Sequence, residues 1–492
     1  MSYLLGIDLG SSSVKVSLVG ADSGACVASA SAPDSEAPMK ALQPGWAEQS
    51  PDDWWQYFKM ALQKAMSAVS ISTADIAAIG ISYQMHGLVC LDKDLQPLRD
   101  AIIWCDSRGV PYGEQAPLPG NFTAAKLAWV KEHEPELFDR IKYIMLPGDW
   151  LALRLTGTPA TTACGLSEMM LWDFGTKRVS SAMMDYFGFR EDIIPPLVPT
   201  FGEQGRVGRE AAAELGIAAG IPVAYRAGDQ PNNALSLAVL NPGEVAATAG
   251  TSGVVYGIQE CVNALTRECV SADALATNAL TQSRINTFLH VNHHLGVMHC
   301  VNGCGIMNAW MKRQMAPTAT YDNINDLAAQ APAGCDGLSI LPFGNGAERV
   351  LLNRNIGASI NGIDLNRHGQ AHLLRAAQEG VAFALMYGME KLGSTQVIRA
   401  GRANMFLSPL FRQTLADVSG AAIELYDTDG SVGAARGAGL GAGIYVSPKE
   451  AFSSLHLLGT TEPRPSQAVD DAYRHWKSMV CRHLACEMLD KQ

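Results

Sequence analysis

Tyr3-Leu4-Leu5-Gly6-Ile7-Asp8-Leu9-Gly10-Ser11-Ser12-Ser13-Val14-Lys15-Val16-Ser17-Leu18-Val19 stands at the head of the chain, and its pattern changes twice within seventeen residues. Tyr3–Asp8 is a short apolar run, Leu9–Ser13 is a Gly/Ser turn, and Val14–Val19 alternates apolar with polar or small residues. Two β-favouring runs around a tight, small-residue turn predict a hairpin. A second unit of the same kind runs from Glu244 to Ile258: apolar Val245–Ala249, the turn Gly250-Thr251-Ser252-Gly253, then Val254–Ile258. Helical patterns lie between and beyond them, at Pro51–Val69 with Asp52 and Asp53 in its first turn, at Gln370–Leu392 and at Ser408–Ser419. Short strand patterns at Ile76–Ser82, Leu88–Leu91 and Ile141–Leu146 alternate with helices. Such alternation predicts an α/β fold with a mainly parallel sheet covered on both faces. The repeated hairpin predicts a chain built as two related halves, joined near the turn signal Asn241-Pro242-Gly243.

The first turn also carries chemistry. Asp8 sits at a strand end, followed by Gly10, Ser11, Ser12 and Ser13, whose backbone N–H groups can face an anion, and by Lys15. A carboxylate beside a phosphate nest repels it unless a divalent cation lies between, so Asp8 reads as a Mg²⁺ anchor, hard oxygen donors suiting that ion. The same residues also make an ordinary hairpin turn capped by an Asx side chain. Gly250, Thr251 and Ser252 offer a second turn of this type. Between the halves, Arg226-Ala227-Gly228-Asp229-Gln230-Pro231 follows the apolar run Ile221–Ala224 and precedes a helical pattern. Asp229 therefore falls at the carboxyl end of a strand, a position that lines the cleft of open α/β sheets. A helix N-cap aspartate is the other reading of the same spacing.

Composition narrows the class. The chain has 492 residues, 48% apolar and 17% charged, with a formal net charge of −11. It can bury a large core, and its acidity argues against a nucleic-acid-coating protein, whose affinity rests on Lys and Arg. No run of eighteen apolar residues and no signal-peptide pattern is present, so no membrane association is expected. The eleven cysteines are scattered, odd in number and without a Cys-x-x-Cys, which suits free thiols in a reducing cytoplasm. The cluster His290, His293, His294, His299, Cys300 and Cys304 fits no zinc spacing and reads as packing.

These pieces, taken in order with several others, resemble the FGGY carbohydrate kinases of the actin-like ATPase fold, the xylulose kinases most closely. The resemblance runs from Leu4 to about Gly443. It is carried by the Asp8–Lys15 turn, Gly45-Trp46-Ala47-Glu48-Gln49, Gln84-Met85-His86-Gly87, Trp104-Cys105-Asp106-Ser107-Arg108 and Phe122–Trp129. Further on it is carried by Gly228-Asp229, Gly250–Gly253, Leu341-Pro342-Phe343, Glu348-Arg349, Glu379-Gly380 and Gln413–Asp417. It implies two actin-like (ribonuclease-H-like) lobes around a central cleft, 1–242 binding sugar and 243–450 binding nucleotide. A helical segment, 451–492, is expected to pack back on the first lobe.

The implied reaction is transfer of a phosphoryl group from ATP to a sugar hydroxyl, D-xylulose giving D-xylulose 5-phosphate. Other pentuloses or polyols (L-xylulose, ribulose) are the alternatives, with a catalytically silent sugar or nucleotide sensor behind them. Asp229 maps onto the family's general base. Gln84, Met85, His86, Trp104, Asp106, Arg108, Asp229 and Gln230 are the implied sugar contacts. Gly10, Ser11, Ser12, Ser13, Lys15, Gly250, Thr251, Ser252, Gly303, Gly401 and Asn404 are the implied nucleotide contacts, and Asp8 and Asp229 the implied Mg²⁺ site. Cytoplasmic location and a homodimer are expected. A dinucleotide fingerprint at Gly437-Ala438-Gly439-Leu440-Gly441-Ala442 lacks the preceding strand and following acid and reads as tight helix packing. Walker-type kinases are excluded because the chain contains no Gly-Lys.

Overall fold

Strand β1 (Tyr3–Leu9) turns at residues 10–13 into β2 (Val14–Gly20), with Asp8 opposite Lys15, and β2 runs on into β3 (Cys26–Ala32). Turns this short can only reverse the chain, so the three strands are antiparallel. Helix α1 (Pro51–Ser67) starts with Pro51 in its first turn and Asp52 and Asp53 beside the positive end of its dipole. Its buried residues Trp54, Trp55, Phe58, Ala61, Leu62 and Ala65 recur every three to four positions and cover β2 and β3. Strand β4 (Ile76–Tyr83) joins β1 in parallel. After α2 (Thr123–His133) and the short α3 (Ala163–Glu168), β5 (Val223–Gly228) joins β4 in parallel and runs straight into α4 (Asp229–Ser236). The first sheet is ordered β3-β2-β1-β4-β5.

This computed structural model describes residues 2–489 except 70, 116, 117, 119, 261–285, 345, 352, 353 and 355. Its second half repeats the first. Strands β6 (Glu244–Ala249) and β7 (Gly253–Gln259) form the second hairpin, β8 (Asn286–Leu289) and β9 (Leu295–Val301) extend it, and α5 (Cys304–Met315) follows. A separate hairpin, β10 (Ser339–Phe343) with β11 (Gly357–Asn361), precedes α6 (Gln370–Met389). Then come β12 (Val397–Gly401), α7 (Pro409–Ser419) and β13 (Ala422–Tyr426). Within the second sheet the order β9-β7-β6-β12-β13 repeats β3-β2-β1-β4-β5, three antiparallel strands and then two parallel ones. The two lobes are thus copies of one design, and the expectation of mainly parallel sheets is corrected to mixed ones.

Two expected boundaries are also corrected by packing. Helix α8 (Gly430–Gly441), assigned by sequence to the second lobe, lies on β1, β4 and β5 of the first. Its contact is backbone-close: a Cβ on Gly6 would stand 1.8 Å from the Ser431 carbonyl and one on Gly80 1.9 Å from that of Ala434. Conversely, after β14 (Leu457–Thr461), the last helix α9 (Gln467–Leu489) packs on the second lobe and not the first. Trp476 is fully buried there, its ring 5.8 Å from Phe343 and 6.1 Å from Tyr387, and its Nε1 donates to the Ile340 carbonyl at 2.9 Å. Among the described residues of the 451–492 segment, Ala451 and Phe452 join the core of the first lobe and Leu455 packs against it. Residues 490–492 lie outside the described residues. The lobes meet in an apolar seam in which Met85, Phe122 and Leu237 of the first pack with Val254, Phe288 and Met298 of the second. No helix among the described residues is long and apolar enough to cross a membrane.

Candidate active site

The two hairpin turns face one cleft. Ser11 and Ser12 line it from the first lobe, Thr251 and Ser252 from the second, around a cavity of about 620 Å³. The tips are braced: Gly10 N–H donates to Ser13 O at 3.0 Å, Trp104 Nε1 to Ser11 Oγ at 3.3 Å, and Gln49 Nε2 to Ser11 O at 2.7 Å. Opposite, Gly305 N–H donates to Gly250 O at 2.7 Å, which seats the N-terminus of α5 against the second turn. The Asn404 side chain lies over Gly250, where a Cβ would meet its Nδ2 at 3.3 Å. Two backbone-rich turns and a helix start so arranged suit a polyanion such as a chain of phosphates.

The cleft narrows to an inner chamber of about 100 Å³, sharing Trp104, Asn121 and Ser252 with it. Met85, His86, Asp229 and Gln230 line the chamber from the first lobe, Met298 and Cys300 from the second. Asp229 is the first residue of α4, directly after β5. Burial pushes its carboxyl up to about 7, and the charge of Asp8 adds to the shift, while hydrogen bonds from Gln230 oppose it. Burial likewise raises the Asp8 carboxyl. Asp8 faces the start of α8: a Cβ on Gly430 would stand 2.5 Å from its Oδ2. Two adjacent acids out of bulk water, each favouring its protonated form, fit a site completed by a hard cation. Among the described residues no group of three metal-type side chains is assembled, so such an ion would draw its remaining oxygens from phosphate and water.

His86 is held from every side. Its Nδ1 donates to the Glu168 carbonyl at 3.1 Å, its N–H to Glu168 Oε1 at 3.3 Å, and its own carbonyl accepts from Lys126 Nζ at 2.8 Å. Its ring stacks on Phe122 at 3.8 Å, and its φ of 61° is left-handed, a conformation costly for a residue with a Cβ. Nε2 is buried without a partner. Burial, with the Lys126 charge, lowers its pKa to about 3, so the imidazole is neutral. Gln84 is also buried; its Nε2 donates to Gln49 Oε1 at 3.2 Å, and its Oε1 has no partner.

Several expected contacts are placed differently. Arg108 lies outside the chamber, its guanidinium fully enclosed, paired with Asp106 at 2.8 Å and Glu48 at 2.6 Å and stacked 3.9 Å from the Trp46 ring. Asp106 spends both oxygens on Arg108 and the Ala47 N–H. This pair braces the loop that carries Trp104 and leaves no free charge for a sugar. Lys15 is bound to Asp429, the N-cap of α8, at 2.6 Å. Gly303 supports close packing, since a Cβ there would fall 1.5 Å from the Pro342 carbonyl, and Gly401 lies beside the Thr428 carbonyl. Sequence reasoning did not single out Glu168, Met298 or the chamber role of Asn121 and Cys300. Asn121 could have been found from its place just before the Phe122–Trp129 motif.

Comparison with known proteins agrees with this architecture. Residues 3–115 and 114–236 match the FGGY family of carbohydrate kinases, N-terminal domain, and residues 245–442 its C-terminal domain. The chain is 30% identical over 478 residues to the xylulose kinase of Escherichia coli, covering 92% of both. It is also 30% identical over 405 residues to that of Bacillus subtilis, covering 79% of this chain and 77% of the other. Among solved structures, a xyloylose kinase from Brucella ovis superposes with a TM-score of 0.85 at 25% identity, over 98% of this chain and all of that one. With paired lobes, facing turns and a half-buried aspartate in the chamber beside them, the chain belongs to the FGGY family of carbohydrate kinases.

Proposed function

We propose that this kinase transfers the γ-phosphoryl group of ATP to D-xylulose, giving D-xylulose 5-phosphate, with Asp229 as general base. The observation that carries the reading is the position of Asp229, a half-buried, largely desolvated carboxyl that lines the small chamber next to the cleft of the two turns. The chamber admits a small polyhydroxylated molecule, with Met85 as its apolar floor and His86 and Gln230 as its polar contacts. Asp229 accepts the proton of the reacting hydroxyl as that oxygen bonds to phosphorus. The Gly10–Ser13 and Gly250–Ser252 turns hold the phosphates in line, Asn404 lying beside the second. Asp8, with Asp229, would hold Mg²⁺, whose chemistry is to neutralise charge on the phosphates. The apolar seam keeps the chamber from opening to water on its inner side, which favours the sugar as acceptor.

The test is a coupled ADP-release assay with ATP and Mg²⁺ against D-xylulose, L-xylulose, ribulose, glycerol and gluconate, with a blank lacking sugar. Activity greatest with D-xylulose is expected. Activity on another pentulose moves the substrate, and no sugar-dependent ADP release overturns the kinase assignment in favour of a sensor. Asp229→Asn should lose about 10²–10⁴-fold in turnover while binding ADP normally. Near-normal turnover removes Asp229 from the role of base. The proposed setting is a reducing cytoplasm, with which the buried thiols of Cys90, Cys164 and Cys304 are consistent. The proposed assembly is a homodimer, to be read from its mass in solution.

A further inference from the structure

Glu168 is a carboxylic acid where the fold has little room for one. It ends α3, is 2% exposed, and reaches under two strand ends at once. One oxygen accepts from the His86 N–H at 3.3 Å; the other lies where a Cβ on Gly228 would come within 2.5 Å, with Met85 Cγ at the same distance from that Cβ. Glycine at 228, directly before Asp229, thus leaves space for this carboxyl between the residue that carries the base and the segment that floors the chamber. The Glu168 main chain finishes the task by accepting the His86 Nδ1 proton at 3.1 Å. A carbonyl can only accept, so the ring proton is on Nδ1 and the buried, unpartnered Nε2 is a lone pair. Lys126 holds the other end of the same residue through the His86 carbonyl.

We propose that Glu168 is a positioning residue of the sugar pocket, bonded to the His86 segment and packed against the strand end that carries Asp229 so that His86 presents only a hydrogen-bond acceptor, and that the pocket accordingly takes neutral ketoses or polyols and rejects sugar carboxylates. A substrate hydroxyl donates to Nε2. A carboxylate has no proton to donate and would be desolvated beside Asp229 and Glu168, and among the described residues lining the chamber there is no Lys or Arg to pair with it. The nearby cations are committed: Lys126 to the His86 carbonyl, Arg108 to Asp106 and Glu48. The inference rests on the chamber being the sugar site of the proposed kinase, and its test reads binding separately from turnover.

Sugar binding to the full chain is measured by calorimetry without nucleotide, using D-xylulose, ribulose, glycerol and the aldonate D-gluconate. Neutral sugars are expected to bind at least about tenfold more tightly than gluconate. Glu168→Ala should weaken neutral-sugar binding about 10- to 100-fold, raise KM more than it lowers kcat, and leave ADP affinity unchanged. Glu168→Gln, which keeps an oxygen for the His86 N–H, should stay within about threefold of the parent. Gluconate binding as tightly as the neutral sugars, no neutral sugar binding at all, or wild-type sugar affinity in Glu168→Ala each overturns the proposal. Should Glu168→Ala not fold, ¹⁵N spectra of the parent chain decide it, with His86→Gln identifying the resonance: a bare Nε2 is expected, and a protonated Nε2 overturns it. Loss of ADP release with this binding pattern intact would count against the kinase reading alone.

Discussion

At Asp229 the protein withdraws a carboxyl group from water and sets a second one, Asp8, beside it, and both act on its proton in the same direction. The result, about 7 instead of 3.8, places the group where a base must be to accept a hydroxyl proton near neutrality. Below that value the base is protonated, so kcat/KM should fall by roughly tenfold per pH unit from about pH 7 downward. A profile flat from pH 8 to pH 5 would refute this. The same shift has a cost in stability. Because the folded pKa lies above the unfolded one, ionisation disfavours the fold; the penalty is absent below pH 3.8 and fully present above about 7. Asp229→Asn should therefore melt higher than the parent at pH 8, with the gap closing towards pH 4. Equal melting temperatures at pH 8 would show that burial of Asp229 is not strained.

How legible such residues are from sequence depends on what their surroundings must supply. Asp229 could be read because a strand end followed by a helix start is a local pattern. Arg108 could not, since two charges two positions apart in a loop give no sign that they will neutralise each other beneath Trp46 and Trp129. Glu168 carries no local pattern that singles it out, because the segments that enclose it, His86 and the end of β5 at Gly228, lie some eighty residues before it and sixty after it.

Among the elements, the two hairpins were readable from alternation and turn residues, and α1 from its helical pattern with Asp52 and Asp53 in the first turn. The partners of α8 and α9 were not. A helix of Gly, Ala and Ser carries little apolar pattern, and its specificity lies in the matching glycines of β1 and β4. Gly80→Val should thus cost about 1–3 kcal/mol or more through forced separation of β4 and α8, read by denaturant unfolding. At the other end, α9 packs on the second lobe through Val469, Tyr473, Met479, Val480 and Leu484, with the fully buried Trp476 as its largest contact. Trp476→Ala should cost about 3–5 kcal/mol by emptying the space among Phe343, Phe383 and Tyr387. A loss under about 1 kcal/mol in either variant would mean that these contacts are not what binds the helices.

The whole molecule is two copies of one sheet order, with the site between the equivalent turns. That duplication was visible in the sequence as two hairpins, and the mixed strand directions follow from their short turns. The crossing of the chain was not visible, because it is a fact about distant segments. It predicts that residues 1–242 alone will be poorly soluble, and that fusing residues 427–455 to them through a flexible linker will restore a monomeric, cooperatively unfolding lobe. Equal solubility of the two fragments would count against α8 as a necessary cover.

The position of α8 also sets an order of events at birth. The strands it covers emerge from the ribosome first, yet the helix itself follows the last residue of that lobe by about 200 residues, some 10–40 s at ordinary rates of synthesis. Throughout that interval the face around Gly6 and Gly80 waits bare, so the nascent chain has reason to meet a chaperone, and its first half cannot mature before its second is nearly complete.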